Sequence, residues 1–550
     1  MNKEKKEPRK VLVIVPHEDD EINVAGSVMC NFVRHNDEVY CVFTTNGDYS
    51  FWAATRMHEA VHSLTILGVQ HILFLGYGDT GNFCKGGHVF YADKEAVTSP
   101  GGRKETYGIA DFPDYAWQKR HRHSPYDRHH FKEDLHDLLL DIQADIIFCV
   151  DYDVHADHRA CSVLFEETLG EILRRPGNAY QPAVFKGFAY CTSFGAPADF
   201  YQPNLRSVPC PDDGPDRIIG YSLYEWSKRV RFPVCAECRT MYMRHNTLYK
   251  ALFEHKSQSA ALHAVRIING DTVFWQRRTD SLSYQADVTA TSGLADRVRD
   301  FKLLDTTDID TKKAIFHQYV WRPDETDPEK KLTFHWEQGQ QITLIRFFAN
   351  INDDGRIIKW RICFDSGYSA IYGPMPQHGR AFTISIPRQQ DVHTCTVQIL
   401  EWSGTTYGLA ECEFFAEKMQ KTMMQPFLKL KINDDFVYDY ILPEKTEQCQ
   451  LSVYMYPLKQ AVTFTVREGP NSRVSDEGLV LFGVSDTVVR IRAAFITDAT
   501  IYDEITLRRV SAGFFRKRSI WQHLEKWGLT WYLKKYRKYI HIRHKYLKKL

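Results

Sequence analysis

The segment Val11 to Val15, VLVIV, is an unbroken apolar run that passes through Pro16 into His17 and four consecutive acids, Glu18 to Glu21. A run without polar alternation predicts a strand buried among other elements, so charge this dense must mark the strand's end. VYCVFTT, ILFLGY and DIIFCV repeat the pattern, with amphipathic stretches over Glu21 to His35, Arg56 to Leu67 and FKEDLHDLLLDIQ between them. Strands alternating with helices argue for the α/β class, here a Rossmann-like, doubly wound parallel sheet. In such sheets ligands sit beyond the carboxyl ends of the strands. PHEDDE and VDYDVHADH both fall at such ends.

The chain has 550 residues, more than one core organises, and domain sizes suggest about three or four units. The α/β pattern occupies residues 1–285. Beyond it LTFHW, ITLIRFFANI, IIKWRICFDSG, FTISI, CTVQILEWSG and ECEFFA read as regular short strands and predict a β-sandwich over 286–418. FLKLKI, CQLSVYMY, AVTFTV and TVVRIRAAFI predict a second, smaller sandwich over 419–511. Residues 83–130 interrupt the α/β rhythm with a polar stretch rich in Gly, Pro and His, read either as a binding loop or lid or as a surface excursion. Within it, KRHRHSPYDRHH is expected as a solvated loop at the mouth of the site, its cations turned to an anionic group on a substrate.

With 70 basic and 69 acidic residues the chain as a whole has no nucleic-acid signature, and no nucleic-acid partner is expected. The balance is uneven, because residues 514–550 carry twelve Lys or Arg against one acid, Glu525. Ile520, Leu524, Trp527 and Trp531, then Tyr532, Tyr536, Tyr539 and Ile540, recur there at helical spacing. They predict a basic amphipathic helix over 512–550 that suits an anionic membrane surface, with docking on protein, and last the binding of a nucleic-acid single strand, as the alternatives. The start, MNKEKKEPRK, has no apolar h-region, and no run is long enough to span a bilayer. Thirteen scattered cysteines read as reduced thiols. The expected location is cytoplasmic, peripheral at the inner membrane face. Cys235 and Cys238 form a single CAEC without a second pair at zinc-knuckle spacing, so a structural metal is not expected there.

His17 and Asp20 at one strand end and His155 and His158 at another can converge on a single ion. Two histidines and a carboxylate, with a fourth position left to water, is the ligand count of a catalytic zinc site. Either cluster alone has a plainer reading, since acids at a helix N-terminus are favoured by the dipole.

At these residues the chain resembles the PIG-L (LmbE-like) family of metal-dependent N-acetylglucosamine deacetylases, whose members have H-x-D-D after the first strand and H-x-D-H after a later one. TTNGD at Thr44 to Asp48, R-x-x-E at Arg56 and Glu59, Leu67-Gly68 before a strand ending in Asp79, and KALFEHKSQ from Lys250 to Gln258 fit the same pattern. The resemblance implies zinc, or another divalent metal, held by His17, Asp20 and His158. It implies Asp19 as general base, His155 as donor to the developing oxyanion or leaving group, and Asp157 as the group orienting His155. Arg56 matches the family's substrate-binding arginine, against a surface salt bridge to Glu59 as the plain alternative; Asp48 and Asp79 are further substrate contacts on the same crevice. Where the family commonly has proline this chain has Glu18, to which the resemblance assigns no role.

The segment Val288 to Ala416 resembles the discoidin, or coagulation-factor type C, family of galactose-binding-like domains, on TATSG, Trp321, FDSG and GLAECEFF. That implies carbohydrate binding. The resulting expectation is a zinc-dependent hydrolase that removes the acetyl group from an N-acetylglucosamine-type sugar in a glycoconjugate or glycan. Its rivals are a metal hydrolase of another amide or ester, and a carbohydrate-binding scaffold with an inactive deacetylase domain.

Overall fold

In a computed structural model of the chain, the apolar run lies in β1 (Lys10–Val15), with Val11 to Val15 fully buried. The structure describes residues 8–80, 96–153, 155–189, 194–195, 207–209, 223–232, 234–238, 246–260, 267–268, 270–304, 319–351, 355–420, 427–433, 435–436, 439–456 and 460–516. Residues 517–550, which hold most of the expected tail helix, lie outside them, as do residues 83–95 of the expected loop.

After β1 come α1 (Asp20–Arg34), β2 (Glu38–Thr45), α2 (Ala53–Leu67), β3 (His71–Tyr77), α3 (Tyr115–Arg120), α4 (Arg128–Ile142), β4 (Ile146–Val150), α5 (Ala156–Leu173) and β5 (Ala183–Gly187). A short pair, β6 (Phe194–Gly195) and β7 (Val208–Pro209), precedes β8 (Val230–Phe232), α6 (Thr247–Glu254) and β9 (Thr272–Arg277). The helix ends follow local chemistry. Asp127 accepts from the His130 N–H to cap α4, Asn246 caps α6 through Tyr249 N–H, and α2 stops at Gly68, whose φ of 84° suits a residue without Cβ.

The main sheet has the order β3-β2-β1-β4-β5-β9-β8. Its first five strands are mutually parallel, as the alternation predicted, but β9 runs antiparallel to β5 and β8 antiparallel to β9. The sheet is therefore mixed, not purely parallel. A parallel neighbour needs a crossover back to the same end of the sheet, whereas the long connection after β5 delivers β9 from the opposite end.

Chain order reverses at β1, which lies between β2 and β4. Ile14 is paired with Cys149, so the residues that follow β1 and β4 emerge side by side. This is the crevice where open α/β sheets hold ligands.

The segment 96–130 is built into the fold. Tyr126 is fully buried, Arg120 pairs with Asp134 and Asp137, His123 with Asp114, and His130 with Asp127. Lys119, Arg120, His123, Arg128 and His130 of KRHRHSPYDRHH are thus tied to carboxylates, while His121, Arg122 and His129 are exposed, so the stretch is only in part the solvated loop expected.

All-β structure follows. A six-stranded sheet comprises β10 (Asp287–Ala290), β11 (Lys331–Ala349), β12 (Gly355–Phe364), β13 (Ser369–Tyr372), β14 (Ala381–Gly404) and β15 (Leu409–Phe415). LTFHW and ITLIRFFANI, expected as two strands, are one, and FTISI and CTVQILEWSG likewise merge in β14. Register shifts between His335 and Leu344 leave extra residues first on β11 and then on β14, and such bulges bend a strand so that one segment serves both halves of a folded sheet. Trp321, Trp336 and Trp360 fill the space enclosed. Further on, Val488–Phe495 pairs with Tyr502–Val510 and Phe427–Ile432 with Ser452–Tyr456, around a core that includes Leu428, Leu430, Ile491 and Leu507.

The first β unit rests on α5. Tyr152 and Val163 pack with Leu303, Leu304, Tyr319, Phe348 and Ala410. Beside them Arg278 donates to the carbonyls of Glu417 and Lys418 and lies 3.7 Å over the Phe415 ring.

Candidate active site

At the switch point the turn after β1 presents His17 to Asp20, and the turn after β4 presents Asp153 to His158. His17 and Asp20 are fixed to each other: Asp20 Oδ2 accepts from the His17 backbone N–H at 3.1 Å and lies 3.0 Å from His17 Nδ1. The same oxygen lies 3.2 Å from His158 Nε2. His158 Nδ1 donates to Asp153 Oδ2 at 2.6 Å, which directs Nε2 toward Asp20. On the other side of His17, Nε2 is 3.1 Å from Asp157 Oδ2 and 3.7 Å from Asp79 Oδ1.

His155 stacks on His158 with ring centroids 4.7 Å apart and meets the His17 ring edge-on at 4.6 Å. It caps α5 by accepting the Asp157 N–H at Nδ1, 3.2 Å away. That nitrogen is therefore unprotonated, and a neutral His155 carries its proton on Nε2 as a donor. Burial, then the neighbouring His17 and His158 charges, push its pKa well below the usual imidazole value. Asp157 was expected to orient His155. Its backbone N–H bonds to His155 Nδ1 and its carboxylate Oδ2 lies 3.9 Å from that nitrogen, while the same carboxylate also receives His17 and both the N–H and hydroxyl of Thr80.

Asp19 sits at φ 140°, a conformation that costs a residue with a side chain about 1–3 kcal/mol. Its N–H is held by Glu21 Oε2 at 2.8 Å, and Glu21 Oε1 in turn pairs with His255 Nε2 at 2.7 Å. The Asp19 carboxyl is buried with Oδ1 3.8 Å from Arg56 Nη2. Burial and the adjacent Asp20 raise its pKa to about 7.

Arg56 is buried and makes no surface bridge to Glu59. Its Nε lies 3.3 Å from Glu18 Oε2, and its guanidinium donates to the carbonyls of Glu18 and Gly47 and to Gln258 Oε1. Nη1 is 3.8 Å from Asp79. Glu59 instead takes the N–H and hydroxyl of Ser257. Gly47 makes the close approach possible: at φ 57°, a Cβ on it would stand 2.4 Å from Glu18 Oε2 and 2.5 Å from Arg56 Cζ.

All nine residues expected from sequence thus fall in one region. His17, Asp19, Asp20, Arg56, Asp79, His155, Asp157 and His158 form one cluster, and Asp48 joins it at one remove, accepting the Asp79 N–H at 2.8 Å and the Tyr107 hydroxyl at 2.6 Å. Asp153, Thr80, Gln258 and Tyr107 were missed. Asp153 and Gln258 stand inside VDYDVHADH and KALFEHKSQ, where their spacing from the histidines was a usable signal. Thr80 and Tyr107 carried none.

The donor set fits a dication. Ligand-type nitrogens of His17, His155 and His158 lie within 4.8 Å of one another, as do the facing atoms of His17, Asp79 and Asp157. Asp20 Oδ1 is buried without a hydrogen-bond partner, Glu18, Asp19 and Asp79 lie 3.3–3.8 Å from the buried Arg56, and Asp20, Asp153 and Asp157 are buried against His17 and His158. Buried carboxylates in such excess need positive charge beside them.

Fold and cluster together define an α/β domain with a candidate hydrolytic metal centre at its switch point. Residues 12–169 match the family model described as PIG-L, GlcNAc-PI de-N-acetylase. The match spans both histidine motifs and stops before KALFEHKSQ. No curated protein is significantly similar to the chain in sequence. Among solved structures, N,N'-diacetylchitobiose deacetylase from Pyrococcus horikoshii is 24% identical, over 34% of this chain and 61% of its own, with a TM-score of 0.22. The present chain therefore spans about three-fifths of that protein's length. A 4-carboxy-2-hydroxymuconate hydratase from Pseudomonas putida is 16% identical over 35% of this chain and 67% of its own, TM-score 0.21. A deacetylase of teicoplanin biosynthesis is 13% identical over 49% of this chain and 99% of its own, TM-score 0.27.

Proposed function

We propose that the chain is a metal-dependent N-deacetylase that removes the acetyl group from an N-acetylglucosamine-type sugar in a glycoconjugate or glycan. The observation that carries the reading is the meeting of His17, Asp20 and His158 at the switch point, with Asp19 and His155 beside them, inside the segment that matches the de-N-acetylase family. His17, Asp20 and His158 hold zinc or another divalent ion. When bound, the ion supplies Lewis-acid polarisation and lowers the pKa of water toward neutrality.

Asp19, pressed into the site by its own backbone, takes the proton of the attacking water. His155 donates a hydrogen bond from Nε2 to the oxyanion, and the proton that Asp19 took from water passes to the departing nitrogen as the C–N bond breaks, leaving the sugar amine and acetic acid, which ionises to acetate. Asp153 and Asp157 fix the His158 and His17 rings. Glu18 neutralises and orients Arg56, which with Asp48 and Asp79 forms the wall that receives the sugar. The adjoining β unit presents glycan to this wall. Residues 512–550 hold the protein to anionic lipid at the inner membrane face. Among the described residues no helix is long and apolar enough to cross a membrane.

The test is acetate release from a panel of N-acetylated sugars, sugar-lipids and glycans by zinc-loaded protein, with Asp19→Asn alongside. Loss of a general base costs about 10²–10⁴-fold in rate. Turnover on none of the panel, or wild type and variant indistinguishable, would leave the scaffold reading ahead; cleavage confined to non-sugar amides or esters would establish the other rival.

A further inference from the structure

Outside the crevice, a third group of ligand-type atoms converges among the described residues, and it consists of thiols. Sγ atoms of Cys30, Cys235 and Cys238 all lie within 4.8 Å of one another, and all three residues are buried. Cys30 is on α1. Cys235 precedes the single turn Ala236–Cys238, and Cys238 ends it. CAEC alone lacked partners at zinc-knuckle spacing, and the fold supplies a third thiol from 205 residues away, with Cys30 Sγ 3.4 Å from Cys235 Sγ.

The backbone around the thiols is fixed without using sulfur. Cys235 N–H donates to Ser27 Oγ at 2.8 Å, Cys238 N–H to the Cys235 carbonyl at 3.0 Å, and Asn246 Nδ2 to the Cys238 carbonyl at 2.9 Å. Ser27, Cys30 and Arg34 are spaced by three and four along α1 and so share one face. That face meets the turn at each point: Ser27 on its backbone, Cys30 on its sulfurs, and Arg34 Nε 2.8 Å from Glu237 Oε1. Glu237 Oε2 is in turn 2.9 Å from Cys235 Sγ. A tetrahedral zinc with bonds of about 2.3 Å to sulfur needs sulfurs roughly 3.8 Å apart, between the 3.4 Å of Cys30 and Cys235 and the 4.8 Å within which all three sulfurs lie.

We propose that Cys30, Cys235 and Cys238 bind a second, structural zinc ion as thiolates, with the fourth position on the side of Glu237. Binding releases the thiol protons to solvent, and no electron transfer is involved. The ion ties α1, whose first residue is Asp20, to the turn that leads toward α6 and the residues after it, His255, Ser257 and Gln258, which reach Glu21, Glu59 and Arg56. It braces two walls of the crevice from behind and takes no part in the reaction.

The experiment uses the full chain, stripped of metal under reducing conditions and titrated with Co²⁺. The candidate catalytic set contains no sulfur, so a sulfur-to-cobalt charge-transfer band reports the thiol site alone. The band is expected in wild type and in the double variant His17→Ala/His158→Ala, and lost in Cys235→Ser, with zinc content lower by one ion per chain. Should Cys235→Ser fail to fold, alkylation of wild type followed by peptide mass analysis answers instead: zinc is expected to protect Cys30, Cys235 and Cys238 together, and chelation to expose them. No thiolate band at saturating Co²⁺, alkylation indifferent to zinc, or a disulfide between any two of the three in protein prepared without reductant would overturn the proposal.

Discussion

Gln258 Oε1 accepts a 2.6 Å hydrogen bond from Nη2 of Arg56, joining the segment after α6 to a residue 202 positions earlier on α2. Hydrogen bonds to charged groups contribute about 1.5–3 kcal/mol. Gln258→Ala is therefore expected to lower unfolding stability by about that amount in denaturant titration. It should also raise KM for the sugar more than it lowers kcat, because Arg56 is loosened while Asp19 and His155 are untouched.

Asp153 governs His158 through one 2.6 Å bond to Nδ1. Removing such an outer partner typically weakens metal binding by about 10–100-fold. Asp153→Asn is expected to shift zinc affinity by that factor in chelator competition, while His158→Ala abolishes binding at the same site. Equal affinities for Asp153→Asn and wild type would separate His158 from the ligand set.

Gly47 is where the backbone passes closest to the Glu18 and Arg56 pair. Gly47→Ala combines a positive φ with two contacts no Cβ can make. The expected outcome is a loss of more than about 1 kcal/mol in stability, together with loss of activity, measured by denaturation and acetate release. A variant as stable and active as wild type would mean that Glu18 and Arg56 do not meet at Gly47.

The pH dependence of stability has a contributor away from the site. Burial alone would raise the Glu167 carboxyl, but Arg128, Lys302 and Lys132 outweigh it and bring its pKa from 4.5 to about 2. A depressed carboxyl stabilises the fold fully above the unfolded value and loses that contribution as pH falls toward the folded one. The difference in unfolding free energy between wild type and Glu167→Gln is therefore expected to be constant above about pH 5 and to shrink as pH falls from 4.5 to 2. At most about 3 kcal/mol is involved.

Much of the crevice was readable because it is written at strand ends. An apolar run closing in PHEDDE and another closing in VDYDVHADH specify both the sheet and the place where the two motifs meet. What could not be read depends on distance along the chain. β8 is three residues long and its pairing with β9 leaves no periodic trace, so the antiparallel edge was invisible. The bulges that fuse two expected strands into β11 are matters of register with β14, not of local composition. Glu18 had no assignable role because its partner, Arg56, is 38 positions away, and CAEC looked incomplete because its third thiol is on α1.

The seam along α5 bears on how such a chain can be inherited. The helix that carries Asp157 and His158 has Tyr152 beside its start and Val163 along its length, and both are covered by Leu303, Leu304, Tyr319, Phe348 and Ala410 of the all-β part. Recombination that exchanged the all-β part for another would bare this apolar flank beside the histidine turn. Tyr152 and Val163 would meet water if the all-β part were removed, so the α/β part depends on that part to keep the start of α5 covered.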